Sequence, residues 1–216
     1  TGFLFTLILM KIYQFILKDK QKGRKLYKHL RHQNKKYRKR YGSPKRQCPI
    51  KNRRFIDARP HIVDEKGRIG DWEIDTIIGK NRKEAIVTVV KRVSKKMVAK
   101  KINQKTAEQV TSATISGLES FAGNVLTITG DNGSEFAYHE QISEALRADF
   151  YFAHPYSSWE RGLNEDTNGL IRQYLKKGSS FARVTEDELA IITDKLNNRP
   201  RKTLGFATTK EVFNPP

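Results

Sequence analysis

Asp71-Trp72-Glu73-Ile74-Asp75-Thr76-Ile77-Ile78 sets the frame for the chain, because its acids and apolar residues alternate with the period of a strand. Glu84-Ala85-Ile86-Val87-Thr88-Val89-Val90 follows as a β-branched run, and residues 97–102 as a third strand. Three adjacent strands with short connections predict an antiparallel meander. Thr106, with Glu108 close behind, predicts a capped helix toward Phe121. A fourth strand over 125–129, a helix over 134–147 and a fifth strand over 149–152 come next. A helix then runs through Glu165 toward Leu175, and a last one from its cap at Thr185 to just before Asn198-Arg199-Pro200. The order βββ-α-β-α-β-α-α is that of an α/β domain with a mixed five-stranded sheet flanked by helices.

Outward from this frame, the charge is uneven. The 216 residues carry a formal +19. Residues 18–54 hold 17 Lys and Arg against one acid, Asp19, while the rest of the chain holds 25 bases and 22 acids. A local excess of this size predicts a polyanionic partner. Residues 1–54 therefore read as a basic, largely helical segment with Gly23 interrupting it, and 55–216 as the folded core. Tyr27, Tyr37 and Tyr41 interleave with the bases, as in segments that lie on a phosphate backbone. A solvated basic linker is the alternative. The opening run Gly2-Phe3-Leu4-Phe5-Thr6-Leu7-Ile8-Leu9-Met10 is too short to span a bilayer, and no charge precedes Lys11 as a signal peptide requires. No membrane association is expected. The lone Cys48 excludes an internal disulfide and is consistent with a reducing cytoplasm.

The acids carry the chemistry. Asp71, Glu73 and Asp75 share one face of their strand. Asp131 ends the apolar run Val125-Leu126-Thr127-Ile128-Thr129-Gly130, at the carboxyl end of a strand where α/β sheets bind ligands. Glu165 lies in the first turns of a helix whose same face carries Asn168, Gly169 and Arg172. Carboxylates gathered at one point repel unless a cation sits among them. Each acid also has a plain structural reading: Asp131-Asn132-Gly133 is a turn signal, and Glu165 stands four residues from Arg161 as in a surface ion pair. Face alternation alone leaves Asp71 and Glu73 as alternatives to Asp75.

Several motifs occur in combination. They are Gly70-Asp71-Trp72-Glu73-Ile74-Asp75, then Thr129-Gly130-Asp131-Asn132-Gly133-Ser134-Glu135-Phe136, then His154-Pro155-Tyr156-Ser157-Ser158-Trp159-Glu160-Arg161-Gly162-Leu163-Asn164-Glu165-Asp166-Thr167-Asn168-Gly169-Leu170-Ile171-Arg172, and Leu196-Asn197-Asn198-Arg199-Pro200-Arg201-Lys202-Thr203-Leu204-Gly205. Together, over roughly 55–213, they resemble the catalytic core of DDE-type transposases and retroviral integrases, in particular the IS-thirty group of bacterial insertion sequences. The 33 residues between Asp131 and Glu165 agree with that resemblance. It implies an RNase H-like fold, and its Trp-x-x-Asp pattern selects Asp75. Asp75, Asp131 and Glu165 would hold Mg²⁺ or Mn²⁺, two ions in all, for DNA cleavage and strand transfer.

The same resemblance implies DNA as partner (transposon ends and target), a homo-oligomer when active, and a cytoplasmic, nucleoid-associated location in a bacterium. Lys35, Lys36, Arg38, Lys39, Arg40, Arg161, Asn168 and Arg172 are the candidate DNA-contacting residues. His154 is expected to hydrogen-bond within its loop. Full-length members also carry an N-terminal helix-turn-helix region that this stretch of sequence is expected to lack, so the chain reads as N-terminally truncated. Leu163 and Asp166 depart from the more usual Thr and Asn beside the third acid. The alternatives are an inactive remnant that binds DNA through its basic segment, and an RNase H-like nuclease.

Overall fold

The computed structural model describes residues 2–30, 50–80, 83–155 and 157–213. Two compact units emerge, Thr1–Arg46 and Gln47–Pro216. In the first, α1 (Gly2–Gln21) covers the opening apolar run and ends at Gly23, whose φ of 76° suits a residue without Cβ. A short 3₁₀ turn (Leu26–His29) follows, and the buried Asp19 accepts from the Leu26 N–H and pairs with Arg24 at 3.6 Å.

The second unit contains a five-stranded sheet: β1 (Asp71–Ile78), β2 (Ala85–Lys91), β3 (Met97–Ile102), β4 (Thr127–Gly130) and β5 (Asp149–Phe152). The order is β3-β2-β1-β4-β5. The first three strands form the antiparallel meander predicted from sequence, while β4 and β5 continue parallel from β1. Parallel strands need crossovers. Here α2 (Ala107–Leu118) and α3 (His139–Leu146) provide them.

Strand alternation divides the core in two. Trp72 and Ile74 of β1 and Val87 and Val89 of β2 pack with Val110 and Leu118 of α2, Ile142 of α3 and Phe136, Phe150 and Phe152. On the other face, Ile77, Ile86 and Val90 meet Leu170 and Ile171 of α4 (Gly162–Ile171) and Leu189, Ile192 and Leu196 of α5 (Glu186–Asn197). Every residue of β2 is buried, because helices cover both of its faces. The caps read from sequence are present: the Thr106 side chain accepts from the Gln109 N–H, and Thr185 with Glu188 forms a capping box.

Three details depart from the sequence expectation. The helix predicted over 134–147 is a 3₁₀ turn, Ser134–Phe136, followed by α3. An additional short helix, α6 (Thr209–Phe213), packs Phe213 edge-on against Phe121. Residues 50–54, read as part of the basic segment, belong to the core unit: Ile50 is buried in it, and the Arg54 carbonyl accepts from the Phe152 N–H at 2.8 Å.

Candidate active site

The three acids of β1 face the α4 side of the sheet, and their partners separate them. Asp71 receives the Arg68 guanidinium through both of its oxygens and accepts from the Thr127 hydroxyl at 2.7 Å. Glu73, buried, accepts from Arg92 at 2.6 Å and from the backbone N–H of Asn164 at 3.3 Å. Burial pushes the Glu73 carboxyl above the ordinary carboxylate range, opposed by the Arg92 charge and by the Asn164 N–H. Asp71 and Glu73 are thereby committed to holding the fold. Asp75 alone looks toward Asp131.

Asp131 leaves the carboxyl end of β4. Its Oδ1 accepts from the Gly133 N–H at 2.9 Å, the Asx turn that the sequence signals. A Cβ at Gly133 would lie 2.2 Å from a carboxylate oxygen of Glu135, so any larger residue there would displace that side chain. Glu135 is itself buried, paired with Lys105 at 2.6 Å and accepting from the Thr76 hydroxyl at 3.2 Å, so the turn is tied to the strand that carries Asp75. Asn132 accepts from Arg53 at 2.8 Å, which brings the end of the basic stretch to the rim of the site.

The third acid rides on α4. Glu165 is exposed in the first turn, where the helix dipole favours an acid. Asn168, one turn on, donates to Asp75 Oδ2 at 2.7 Å, while its Oδ1 accepts from the Thr88 hydroxyl at 3.0 Å. Thr88 is the direct cross-strand partner of Asp75, so the Asn168 bonds fasten α4 across the β1–β2 pair. Asn168 thus orients Asp75. Arg161 sits between the two aspartates, 3.7 Å from Asp75 and 3.8 Å from Asp131, and donates to the Ile74 carbonyl at 3.2 Å. Burial raises the Asp75 carboxyl above the ordinary range; the Arg161 charge draws it down, and the Asp131 charge pushes it up again. Both Asn164 side-chain polar atoms, buried beside Glu165, have no hydrogen-bond partner among the described residues.

The remaining residues singled out from sequence fall elsewhere. Arg172 donates to the Ile78 carbonyl at 2.9 Å and lies over the Phe181 ring, so its guanidinium caps the end of β1. Lys35, Lys36, Arg38, Lys39 and Arg40 lie outside the described residues. His154 bridges Glu160 and Asp57 at 3.0 and 2.9 Å and stacks on Phe55. The hydrogen bond to Glu160 is the main reason its pKa is raised. Composition gave no sign of the Glu73–Arg92, Glu135–Lys105 or Arg53–Asn132 pairs; only their adjacency to the motifs marks them.

The donor chemistry suits a hard divalent cation. Two carboxylates turn their Oδ2 atoms to one cationic group, and a third stands one helical turn away. Among the described residues no three His, Cys, Asp or Glu side chains stand close enough to hold a metal ion. Among these residues no helix is long and apolar enough to cross a membrane.

Comparison with known proteins agrees with this frame. The integrase core domain family matches residues 66–158. The chain is 48% identical over 202 residues to the transposase for insertion sequence element IS4351 of Bacteroides fragilis, covering 94% of this chain and 62% of that protein. It is 36% identical over 159 residues to transposase InsI for insertion sequence element IS30A of Escherichia coli K12, covering 73% of this chain and 41% of the relative. The chain thus spans less than two thirds of the length of these relatives. Among solved structures, the catalytic core domain of BIV integrase superposes with a TM-score of 0.52 at 24% identity, over 68% of this chain and 94% of that one. The HTLV-2 integrase catalytic core domain gives 0.51 at 20% identity, over 67% and 95%. The mixed sheet flanked by helices is the RNase H-like fold of these cores. Residues 66–158 thus match an integrase core domain, and the relatives that align over most of this chain are insertion-sequence transposases.

Proposed function

We propose that the chain is the catalytic part of a DDE transposase, a polynucleotidyl transferase that cuts and joins DNA at the ends of an insertion sequence. The observation that carries this reading is the convergence of Asp75 and Asp131, from adjacent parallel strands, below a helix that bears Glu165. The transposase relatives and the integrase fold support it.

In this reading Asp75, Asp131 and Glu165 hold Mg²⁺ or Mn²⁺. A bound pair of such ions would activate water, then a DNA 3′-hydroxyl, and stabilise the leaving oxygen. The chain's own residues prepare the ligands. Asn168 fixes the Asp75 carboxylate, the Asx turn fixes Asp131, and the Glu73 bond to the Asn164 N–H sets the entrance of α4. Arg53 and Lys105 place positive charge beside the site, suited to a phosphate backbone. Lys35, Lys36, Arg38, Lys39 and Arg40 extend that charge in sequence and are assigned to DNA contact, with the working enzyme a homo-oligomer on paired DNA ends.

A Mg²⁺- or Mn²⁺-dependent nicking and strand-transfer assay on DNA bearing terminal repeats tests the proposal. Wild type should produce both products and Asp131→Asn neither. Equal behaviour of the two would end the enzyme reading.

A further inference from the structure

The placement of Arg161 has a consequence for how the centre takes its metal. The two aspartates are held alike, save that Asp75 Oδ2 also accepts from Asn168 at 2.7 Å. Each has Oδ1 satisfied by a backbone N–H, Thr76 at 2.8 Å for Asp75 and Gly133 at 2.9 Å for Asp131. Each has its Oδ2 facing the Arg161 Nη2, at 3.7 and 3.8 Å. These are ion-pair distances, too long for directional hydrogen bonds. Among the described residues, the directional bond of the guanidinium goes to the Ile74 carbonyl, at 3.2 Å. The Arg161 side chain is 12% exposed against 21% for Asp75 and 44% for Asp131, so the pairing is shielded from solvent and salt on the Asp75 side and half-open on the Asp131 side. A guanidinium is always protonated and cannot relieve the site by losing charge.

We propose that Arg161 is the resident counter-ion of the Asp75–Asp131 pair, which a divalent cation must displace, and hence a positioning residue that sets the metal affinity of the centre. This inference rests on the catalytic reading above. The same oxygens that would ligate the cation face Arg161, so the two cations compete for them. Position supplies the coupling to the third acid. Arg161 occupies the N-cap of α4 and Glu165 follows four residues later, on the same helical face. A guanidinium leaving the aspartates therefore stays within one turn of Glu165 and of any phosphate at the site. The sequence suggests an Arg161–Glu165 pair by spacing, yet the ion pairs Arg161 makes here are to the two aspartates.

The test is a titration of the whole chain with Mn²⁺, with free Mn²⁺ read by electron paramagnetic resonance and folding checked by circular dichroism. Arg161→Gln should bind Mn²⁺ about tenfold tighter than wild type, since an opposite charge at this range shifts carboxylate equilibria by about one decade or more. Misfolding cannot produce a gain in affinity. Arg161→Lys, which keeps the charge, should stay near wild type. Asp131→Asn should bind more weakly. Folded Arg161→Gln with unchanged or weaker affinity, beside a weakened Asp131→Asn, overturns the counter-ion role alone. Asp131→Asn with wild-type affinity overturns the catalytic reading and this inference together. Should Arg161→Gln not fold, wild type decides: the Arg161 Nε–H NMR signal, assigned by its loss in Arg161→Lys, should move with Mg²⁺ along the binding isotherm. An unmoved signal overturns the proposal.

Discussion

The sheet-borne and helix-borne halves of the site are built differently. Asp75 stands on β1 and Asp131 directly follows β4, two strands that pair in parallel, and each carboxylate has one oxygen fixed by the main chain. Glu165 is exposed in the first turn of α4. That turn enters from a short 3₁₀ segment (Ser158–Arg161), has no side-chain cap, and holds both unpartnered polar atoms of Asn164. Sheet pairing supplies rigid positions; a helix entrance with unsatisfied groups has less to lose by moving. The contrast teaches that the two aspartates are anchored by the main chain of the sheet side, whereas the position of Glu165 depends on the entrance of α4.

Substitutions and one change of condition would break or sharpen this comparison. The largest effect is expected on the sheet side: Asp75→Asn and Asp131→Asn should each lower strand-cleavage rates about 10³-fold, read in single-turnover assays, with the fold intact by circular dichroism. Glu73→Ala should strike stability instead. It leaves the buried Arg92 with only the half-exposed Asp64, at 3.8 Å, as a counter-charge and frees the α4 entrance, at a loss of about 3 kcal/mol in urea unfolding. If Glu73→Ala were as stable as wild type, α4 would not depend on that acid. Asn168→Ala removes the group that orients Asp75 and should weaken Mn²⁺ binding about 10- to 100-fold, as loss of outer hydrogen bonds to metal ligands does.

The smallest effect concerns pH. His154 has a raised pKa, first through its bond to Glu160, so its stabilisation of the 154–160 turn is fully present below the unfolded-state value of about 6.5. It fades as pH rises through the higher folded-state value. Hydrogen exchange at the His154 amide should accelerate over that window beyond the intrinsic pH trend. In His154→Asn the extra acceleration should vanish.

The strands were legible in the sequence because β-branched alternation matches the pleat, and the caps because Thr106 and Thr185 precede clear helical runs. The 50–54 segment was not. Its bases mask a buried Ile50 and a main-chain bond, and composition records neither. Helix α6 is five residues long and held by Phe213 against Phe121, a tertiary contact with no local signature. At the site, alternation left Asp71, Glu73 and Asp75 equivalent, and only motif context chose among them. The physical reason lies in their partners, the nearby Arg68 and the more distant Arg92, which neutralise the other two. Spacing suggested Glu165 as the companion of Arg161, whereas convergence of two strands gave that arginine stronger partners.

The central claim is that Glu165 completes the centre begun by Asp75 and Asp131. Its most direct test compares Glu165→Gln with its neighbour Asp166→Asn in Mg²⁺-dependent strand transfer of a DNA end. The account predicts that Glu165→Gln abolishes joining while Asp166→Asn stays close to wild type. Joining by Glu165→Gln at the wild-type rate would contradict it.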